Sequence, residues 1–455
     1  MSIASIAEQP QPVTEALAER TAGLTFDDLD PDSLAVAKQC LIDWFAVTLA
    51  GAREPLTGML LAEAAEEGGR ERATLIGGGK GTLAQAALIN GAASHALDYD
   101  DVNQAMGGHP TVPVVPAVLA LAEDGGLSGR DLLTAFVAGY ETECRVGTLV
   151  APSHYEKGFH ATATVGSFGA AAGAARLLGL DTEGTARAMG IAATQAAGLK
   201  SQFGTMCKPL HAGKAASNGL LAAKLAARGF TSRPDMLETA QGFAATQSDE
   251  FRADRALEAA RRGFFVRENL FKYHAACYLT HSTIEAMGRL RQEHGIGPDD
   301  VVAATLRVDN RHLNVCNIQE PSTGLEVKFS LRHTAAFGLA GEDTARIENY
   351  SDSNATRPDL EDLRRRITVE PSGGPGTLAT AVVELTDGRK LEETVDVGVP
   401  AEDVADQGNK IDAKYRSLVE PLLGEATGPL LDDLHGLEDL ADCRQLTAHL
   451  ADWRA

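Results

Sequence analysis

The sequence predicts a mostly α fold, with a large helical domain and a smaller α+β domain, and three observations support this fold class. Up to about residue 265, apolar residues recur three and four positions apart in segment after segment, and glycine closes each segment. Near residue 298 the pattern changes to the alternation that is typical of strands. From about residue 408 the helical spacing returns. A chain of 455 residues has room for two or three domains.

The first domain is predicted over residues 1–267 as a set of packed helices. Its clearest segments are "DSLAVAKQCLIDWFAVTLAG", "TLAQAALINGAASHAL", "VVPAVLALAEDGG", "SGRDLLTAFVAGYETECRVG" and "NGLLAAKLAARGF". Several are apolar nearly all round, which is typical of helices buried between others. In "ATVGSFGAAAGAARLLG", Gly166, Gly169 and Gly173 fall on one helix face. Because glycine weakens a helix, this face predicts close contact with another backbone.

The second domain is predicted over residues 268–407 as an α+β lid. "DDVVAATLRVD" alternates like a strand, and "TLATAVVELTDGRKLEETVDV" predicts a hairpin that turns at Asp387-Gly388. Between them, "GLEVKFSLRHTAAFGLAG" has helical spacing. The remaining residues, 408–455, are predicted to be helical and to fold back onto the first domain.

The charge balance excludes some partners. The net charge is −22, from 41 Lys and Arg against 63 Asp and Glu. Nucleic acids and anionic membranes both require a positive field, so neither is expected as a partner. A small anionic substrate remains compatible, because a few buried cations can set a local field of opposite sign.

The cysteine pattern and the N-terminus indicate a cytoplasmic protein. The six cysteines are scattered without a CxxC pair, which predicts reduced thiols rather than disulfides or a metal site. The first twenty residues show no apolar segment behind a basic start, so no secretion signal is expected. The most membrane-like stretch, "ATATVGSFGAAAGAARLLGL", carries Arg176 and predicts a buried helix instead.

The stretch "HALDYDDVNQAMGGHP" holds an unusual density of ionisable groups, namely His95, Asp98, Asp100, Asp101 and His109. It lacks the glycine and glutamate positions of a calcium loop, and its histidine spacing matches no transition-metal pattern. Two interpretations are equally favoured: a solvated loop that caps helices, or one wall of a reaction site.

Two further stretches carry basic groups. In "SHYEKGFHATATVG", His160 precedes the glycine-rich helix, where it is either half-buried beside a bound carboxylate or simply a surface histidine. In "GLKSQFGTMCKPLHAGKAASNG", three lysines and a histidine surround an apolar loop: Lys200, Lys208, Lys214 and His211. Pro209 is predicted to keep Lys208 out of helix. The stretch fails the phosphate-loop pattern, and we interpret it as an anion-binding segment; Cys207 is interpreted as an idle thiol.

The fourth stretch, "NLFKYHAACYLTHS", begins with Lys272. A helix that starts near His274 would place Tyr278 and His281 on the same face. Such polar groups in an apolar run require hydrogen-bond partners. His333, in "KFSLRHTAAFG", is either a further site residue or a core histidine.

Taken together, these stretches supply histidines, lysines and an acid, with no metal spacing and no nucleotide-binding fingerprint. This combination suits proton transfer on a small polycarboxylate, where cations hold the carboxylates and neutral histidine or a carboxylate moves the proton.

The motifs "HALDYDD…GHP", "YEKGFHATATVG", "GLKSQFGTMCKPLHAGKAA", "FKYHAACYLTH" and "EVKFSLRH" resemble those of the MmgE/PrpD family in order and spacing. This family comprises 2-methylcitrate dehydratases, cis-aconitate decarboxylases and iminodisuccinate epimerases. The resemblance implies a homodimer of two-domain subunits, a helical domain with an α+β lid, a site in the cleft and no cofactor. Residues that match the decarboxylase pocket are Asp98, His109, His160, Lys208 and Lys272.

The chain differs from the decarboxylase pattern at three pocket positions. Val102 stands in place of threonine, Cys277 in place of histidine and His333 in place of tyrosine. The spacing from Asp98 to His109 is also one residue longer. The resemblance therefore leaves the substrate open.

These observations predict a cofactor-independent, metal-free lyase for a small di- or tricarboxylate, most simply a hydro-lyase of the 2-methylcitrate dehydratase type. His160 or Asp98 would abstract the α-proton, and His109 or His274 would protonate the leaving hydroxyl. The expected substrate-binding residues are Lys208, Lys272, Lys200, His333 and Tyr278. The alternatives are an epimerase of an iminodisuccinate-like substrate, a cis-aconitate-type decarboxylase and, least favoured, a non-catalytic carboxylate-binding protein.

Overall fold

The computed structural model describes residues 12–455. Its contacts divide the chain into two units. The first holds the described residues up to Asn269 together with Asp403–Ala455, and the second holds Leu270–Glu402. Residues 1–11, which belong to the stretch expected to lack a secretion signal, lie outside the described residues. The predicted fold class is confirmed, because helices dominate and a smaller mixed sheet lies in the second unit.

The first unit is built mainly from helices. They are α1 (Val13–Gly23), α2 (Pro31–Gly51), α3 (Pro55–Glu67), α4 (Leu83–His95), α5 (Thr111–Gly125), α6 (Gly129–Val150), α7 (Ser153–Glu156), α8 (Ala161–Thr164), α9 (Gly166–Leu177), α10 (Thr182–Ala193), α11 (Cys207–Ala226), α12 (Phe243–Gln247) and α13 (Ala253–Leu257). Side-chain caps start several of them; Thr82 and Ser128, for example, form capping boxes on α4 and α6. A short antiparallel ribbon, β1 (Ala73–Leu75) and β2 (Gly79–Gly81), precedes α4.

The glycine-rich face of α9 packs against α6, as predicted. A Cβ atom on Gly173 would lie 2.8 Å from the carbonyl oxygen of Ala135, and one on Gly139 would lie 2.6 Å from the carbonyl oxygen of Gly169. The two backbones can therefore approach this closely only because both helices carry glycine at the contact.

A second glycine contact joins α4 and α11. A Cβ atom on Gly213 would lie 2.1 Å from the carbonyl oxygen of Leu88, and one on Gly91 would lie 2.8 Å from the Cα atom of Gly213. This contact brings together the two helices that lead into the ionisable stretches around Asp98 and Lys208.

The second unit combines a mixed sheet with helices. Its elements are α14 (Tyr278–His294), β3 (Val301–Asp309), α15 (Asn310–Val315), α16 (Gly324–Val327), α17 (Leu331–Ala340), α18 (Asp352–Ala355), α19 (Pro358–Arg365), β4 (Ile367–Ser372), β5 (Leu378–Leu385) and β6 (Lys390–Asp396). The strand order is β4-β3-β5-β6, with β4 parallel to β3 and the other pairs antiparallel. The hairpin at Asp387-Gly388 is confirmed, and Gly388 has the positive φ (87°) that its turn requires.

The C-terminal segment returns to the first unit as α20 (Val404–Leu423), α21 (Thr427–His435) and α22 (Arg444–Ala448). A buried ion pair attaches it, because Lys414 Nζ lies 2.6 Å from Asp43 Oδ1 on α2. The same ammonium group donates to the carbonyl of Tyr99 at 2.7 Å. The predicted domains (1–267 with 408–455, and 268–407) stay predictions, since a division by contacts does not test independent folding.

One helix in the described part of the chain, α2, is long and apolar enough to cross a membrane by length and composition alone. Its most apolar window is 78% buried inside the protein. The helix also carries Asp43, whose carboxylate contacts Lys414. Burial of this kind is typical of a core helix.

Candidate active site

The loop between α4 and α5 folds back on itself and docks on the start of α8. Asn103 and Gly108 form an isolated antiparallel bridge, and the buried Asn103 side chain donates to the hydroxyl of Tyr140 at 3.1 Å. Thr162 on α8 accepts a hydrogen bond from the backbone N–H of His109 at 3.1 Å. A Cβ atom on Gly108 would lie 2.9 Å from Thr162 Oγ1, so this glycine permits the close approach.

Asp98 lies at the sharpest point of this loop. Its φ of 52° falls in the left-handed region, which aspartate tolerates better than most residues but which still carries a cost. The carboxylate accepts a hydrogen bond from Lys208 Nζ at 2.7 Å. Backbone strain at a polar residue that contacts a cation is typical of a functional position.

Lys208 lies inside α11, not before it. The sequence predicted that Pro209 would keep Lys208 out of helix, and that prediction is wrong, because α11 begins at Cys207. Proline is tolerated in the first helical turn, where its missing N–H has no helical partner to lose. The lysine side chain is only 15% exposed, so its charge is partly shielded from water.

Asp100 lies against two histidines. Its carboxylate lies 2.8 Å from Nδ1 of His95 and 2.9 Å from Nδ1 of His109. Burial alone would raise the pKa of Asp100, but the two imidazoles outweigh burial and hold that pKa well below its usual range. An ionised carboxylate only accepts hydrogen bonds, so Nδ1 of His95 carries its hydrogen toward Asp100, whereas Nδ1 of His109 lies close to the carboxylate but makes no hydrogen bond within residues 12–455.

His95 is consequently a neutral ring with a free acceptor. Burial lowers the pKa of His95 to about 4, a shift that the Asp100 carboxylate only partly opposes. With hydrogen on Nδ1, the lone pair lies on Nε2. That nitrogen is buried and has no hydrogen-bond partner among residues 12–455. The Nε2 atom of the neighbouring His109 lies 3.7 Å from Asp98 Oδ1.

His160 is buried in the same cluster rather than half-buried or at the surface. Its side chain is 2% exposed, and its ring stacks on that of His95 with 5.8 Å between centroids. Burial, reinforced by the positive charge of Lys208, holds the pKa of His160 well below its usual range. His160 is therefore a neutral base near pH 7. Its Nδ1 lies 3.0 Å from Nδ1 of His211.

Asp101, the third aspartate of the loop, has a structural role. Its side chain accepts a hydrogen bond from the Thr111 hydroxyl at the start of α5. Burial, with a contribution from Asp43, raises the pKa of Asp101 to about 7. The ionisable stretch thus serves both interpretations, since Asp98 and Asp100 join the histidine cluster while Asp101 holds a helix end.

Lys200, which the sequence predicted to bind substrate, contacts Tyr155. Its ammonium group donates to the carbonyl of Tyr155 at 2.9 Å and lies 3.5 Å from the centroid of the Tyr155 ring. This lysine therefore fastens the loop before α11 to α7.

In the second unit, the predicted helix start near His274 is wrong, because α14 begins at Tyr278. His274 nevertheless lies 4.9 Å from His281, measured between ring centroids. Its Nδ1 lies 2.7 Å from Thr344 Oγ1, and its Nε2 lies 3.2 Å from Glu285 Oε1.

The other predicted site residues of the second unit are covered by protein. Lys272 is 1% exposed, and the Tyr278 hydroxyl donates to the carbonyl of Val397 at 2.6 Å. His333 lies in α17 with its ring 5.0 Å from that of Phe337, and burial lowers its pKa to about 4. This environment is that of a core histidine.

Sequence reasoning did not include three members of the cluster, His95, Asp100 and His211, among the site residues. His95 and Asp100 lie in the quoted ionisable stretch, but nothing in their spacing showed which aspartate would meet which histidine. His211 follows Lys208 by three positions, which places both on one face of α11. That spacing was the available signal.

Four residues of the cluster could together hold a metal ion. They are His95, Asp98, Asp100 and His109, which can each offer one ligand atom within 4.8 Å of the others. The oxygens are already engaged, since Lys208 donates to Asp98 and the His95 ring to Asp100. A cation would have to displace these partners, so the cluster fits a hydrogen-bond network better than a metal site.

Two family models match the chain. The MmgE/PrpD N-terminal domain matches residues 15–256, and the MmgE/PrpD C-terminal domain matches residues 274–429.

Three curated relatives are named cis-aconitate decarboxylase. The Aspergillus terreus protein is 28% identical over 470 aligned residues, which cover 95% of this chain and 95% of the relative. The Mus musculus protein is 27% identical, with 80% of this chain and 77% of the relative covered. The Homo sapiens protein is 28% identical, with 80% and 79% covered.

Proposed function

Because the chain belongs to the MmgE/PrpD family, we propose that it is a cofactor-independent lyase that acts on a small di- or tricarboxylate. The observation that carries this proposal is the buried cluster in the first unit, where the neutral His160 and the Lys208–Asp98 pair lie around one group of imidazoles. A neutral buried base beside a partly shielded cation suits removal or delivery of a proton next to a carboxylate.

Lys208 is proposed to bind the substrate carboxylate. In the structure its ammonium group is held by Asp98 at 2.7 Å, so an incoming carboxylate would exchange with, or add to, that partner. As a proton leaves the adjacent carbon, negative charge grows on the carboxylate, and a preorganised cation stabilises it. The low exposure of Lys208 strengthens this interaction, because little water screens it.

His160 is proposed as the group that moves the proton at carbon, and His109 as the second acid–base group. Asp100 supports this second role, because its carboxylate lies 2.9 Å from Nδ1 of the His109 ring. Lys272, His274, Tyr278 and His333 of the second unit stay predictions from the sequence.

Two reactions are candidates, and they differ in the bond that breaks. Dehydration is the reaction predicted from the sequence, in which the C–H bond and the C–O bond of the β-hydroxyl are broken. Decarboxylation is favoured by the names of the relatives, and in it a C–C bond breaks and the resulting carbanion takes up a proton. An epimerase shares the proton abstraction but leaves the carbon skeleton unchanged.

Proton NMR in heavy water on citrate, 2-methylcitrate, cis-aconitate and iminodisuccinate tests the proposal. A new alkene signal from a hydroxy acid indicates dehydration, loss of a carboxylate from cis-aconitate indicates decarboxylation, and deuterium at an intact skeleton indicates epimerisation. Absence of turnover on the whole panel, with ligand-induced stabilisation only, would contradict an enzymatic role.

Two variants and one control test whether His160 and Lys208 take part in the reaction. His160→Asn should lower turnover by about 10²–10⁴-fold, the usual contribution of a general acid or base. Lys208→Ala should lower it by about 10²–10³-fold, as when one group that stabilises the developing charge is lost. Lys214→Ala removes an exposed lysine from the same helix and should leave turnover unchanged. Wild-type turnover in either of the first two removes that residue from the mechanism.

A further inference from the structure

The buried position of His160 creates a proton-transfer problem that the reaction must solve. Decarboxylation takes up one proton from solvent in each turnover. Dehydration by a separate base and acid leaves the base protonated, so it must release that proton before the next cycle. His160 is only 2% exposed, and bulk water does not reach it readily.

His211 lies between His160 and the outside of the cluster. The Nδ1 atoms of the two rings are 3.0 Å apart, and the ring centroids are 5.3 Å apart. His211 is half-buried, in contrast to the fully buried His160. It occupies the first turns of α11 and shares a helix face with Lys208.

The backbone at Gly198 lies beside both His160 and His211. Its carbonyl accepts a hydrogen bond from the backbone N–H of His160 at 3.0 Å. A Cβ atom built on Gly198 would lie 3.4 Å from Cγ of His211, in contact with the ring. The Gly198 segment therefore adjoins both residues, since it bonds the backbone of His160 and its lack of a Cβ leaves room for the His211 ring.

A hydrogen bond between two Nδ1 atoms links the tautomers of the rings. When His160 donates from Nδ1, its Nε2 carries a lone pair and is a base, and Nε2 of His211 carries hydrogen. When His211 donates instead, Nε2 of His160 carries hydrogen and is an acid. Burial lowers the pKa of both rings, so both are neutral near pH 7 and either arrangement is accessible.

We propose that His211 relays protons between His160 and solvent, an inference that rests on the proposed function. In the base direction, a proton from substrate forms the Nε2–H bond of His160. The Nδ1–H bond of His160 then breaks as the Nδ1–H bond of His211 forms, and Nε2 of His211 releases its proton to water. The reverse sequence supplies a proton from water to substrate.

Substitutions at His211 separate relay from positioning. Asn presents an amide near the position of Nδ1 and preserves a hydrogen bond to His160, but it cannot pass a proton. His211→Asn should therefore lower kcat by about 10-fold or more while KM changes little, since general acid–base steps contribute at least this much. If His211 only positioned His160, Asn would restore wild-type kcat.

Chemical rescue gives a readout that a structural role would not produce. In His211→Ala, added imidazoles and small amines of graded basicity should raise kcat, and the rescue should follow the pKa of the added base. Rescue that is independent of that pKa, or absent while His211→Asn retains wild-type kcat and pH profile, would overturn the relay.

A measurement without substrate keeps this test separate from the proposed function. Nitrogen-15 NMR of the wild-type imidazoles should show one protonated and one bare Nδ1, coupled across the hydrogen bond and lost in His211→Ala. If wild type turns over no substrate but the coupled pair is present, the proposed function fails while the His160–His211 contact stands. If no coupled pair is seen, the relay is overturned whatever the activity.

Discussion

At the residue scale, the Asp100 carboxylate determines which nitrogen of His95 can act as a base. It accepts a hydrogen bond from Nδ1 of His95 at 2.8 Å, so hydrogen is fixed there and the Nε2 side of the neutral ring is left as an acceptor. A carboxylate that orients a histidine in this way acts through its partner and does not need to touch the substrate.

Asp100→Asn should therefore impair turnover without unfolding the protein. The amide has one acceptor oxygen, and its NH₂ group would force one imidazole into the opposite tautomer. We expect kcat to fall by about 10²–10⁴-fold, as for other acid–base groups that lose their working protonation state. Steady-state kinetics measure the loss of turnover, and circular dichroism measures whether the protein stays folded.

Asp101→Asn is the matched control, one position along the chain. Asp101 bonds the Thr111 hydroxyl and has its pKa raised to about 7 by burial, so it is partly protonated and close to an amide in charge. Its replacement should leave kcat near wild type. Equal losses in the two variants would show that the loop tolerates no change and that Asp100 has no special role.

Residue types were predictable from the sequence, but their pairing was not. The structure brings Asp98, His109, His160 and Lys208 into one cluster. The partner of Lys200 could not be predicted, because Tyr155 lies in a different helix and only the tertiary fold brings the two together.

At the element scale, the contact of α4 with α11 sets the distance between the Asp98 loop and Lys208. Gly213 faces the carbonyl of Leu88 so closely that any Cβ atom would have to move backbone, 2.1 Å being far inside contact distance. A small shift of α11 along α4 would separate Lys208 from Asp98, so packing and chemistry are linked here.

Gly213→Ala should destabilise the protein by about 1–3 kcal/mol, the usual effect of overpacking, and should also lower kcat. Gly58→Ala on α3 is the control, because a Cβ atom there meets nothing within 4 Å. That change should stabilise by about 0.5–1 kcal/mol through helix propensity. Denaturant titration measures the free energy of unfolding of both variants. An unchanged free energy of unfolding in Gly213→Ala would show that α4 and α11 can separate without consequence.

Helices and strands whose sequence shows a clear hydrophobic periodicity were predicted. Elements that form only through contact with a neighbouring strand or helix were not. The hairpin of β5 and β6 has both alternation and a turn pair. Strand β4 alternates over only four residues, Ile367 to Glu370, before Pro371 interrupts the pattern, and its pairing with β3 defines it. The start of α14 was misplaced because the apolar run before Tyr278 is buried although it is not helical.

At the scale of the whole molecule, the acid dependence of stability combines opposing contributions. Buried histidines such as His154 and His333 have their pKa lowered to about 4 by burial, so the unfolded chain binds their protons first and stability falls as pH drops from about 6.5 toward 4. Asp101 and Glu141, whose pKa burial raises to about 7, bind protons in the folded state and oppose this trend.

Replacing one such histidine isolates its contribution. In wild type, burial of the neutral His333 lowers the free energy of unfolding by about 1.4 kcal/mol for each pH unit below the pKa of histidine in the unfolded chain. His333→Gln removes this contribution. Between pH 7 and pH 5, the unfolding free energy of this variant should fall by about 2 kcal/mol less than that of wild type. Between pH 8 and pH 7 the two should change alike. An unchanged difference from pH 7 to pH 5 would contradict a buried neutral His333.

The fold class followed from periodicity alone, because packing of helices and alternation of strands leave their pattern in the residues. The choice between dehydration and decarboxylation did not follow, because both reactions need a proton-transfer group and a cation beside a carboxylate. That choice depends on how the substrate is oriented, which residue types do not encode.

The account depends most on the claim that Lys208 and its surrounding imidazoles bind carboxylates. Isothermal titration of propane-1,2,3-tricarboxylate, a saturated tricarboxylate with no hydroxyl to eliminate, tests it directly. Wild type and Lys214→Ala should bind alike, and Lys208→Ala should bind about 10–100-fold more weakly, as expected when a charge-assisted hydrogen bond is lost. Equal affinity in all three proteins would contradict the claim.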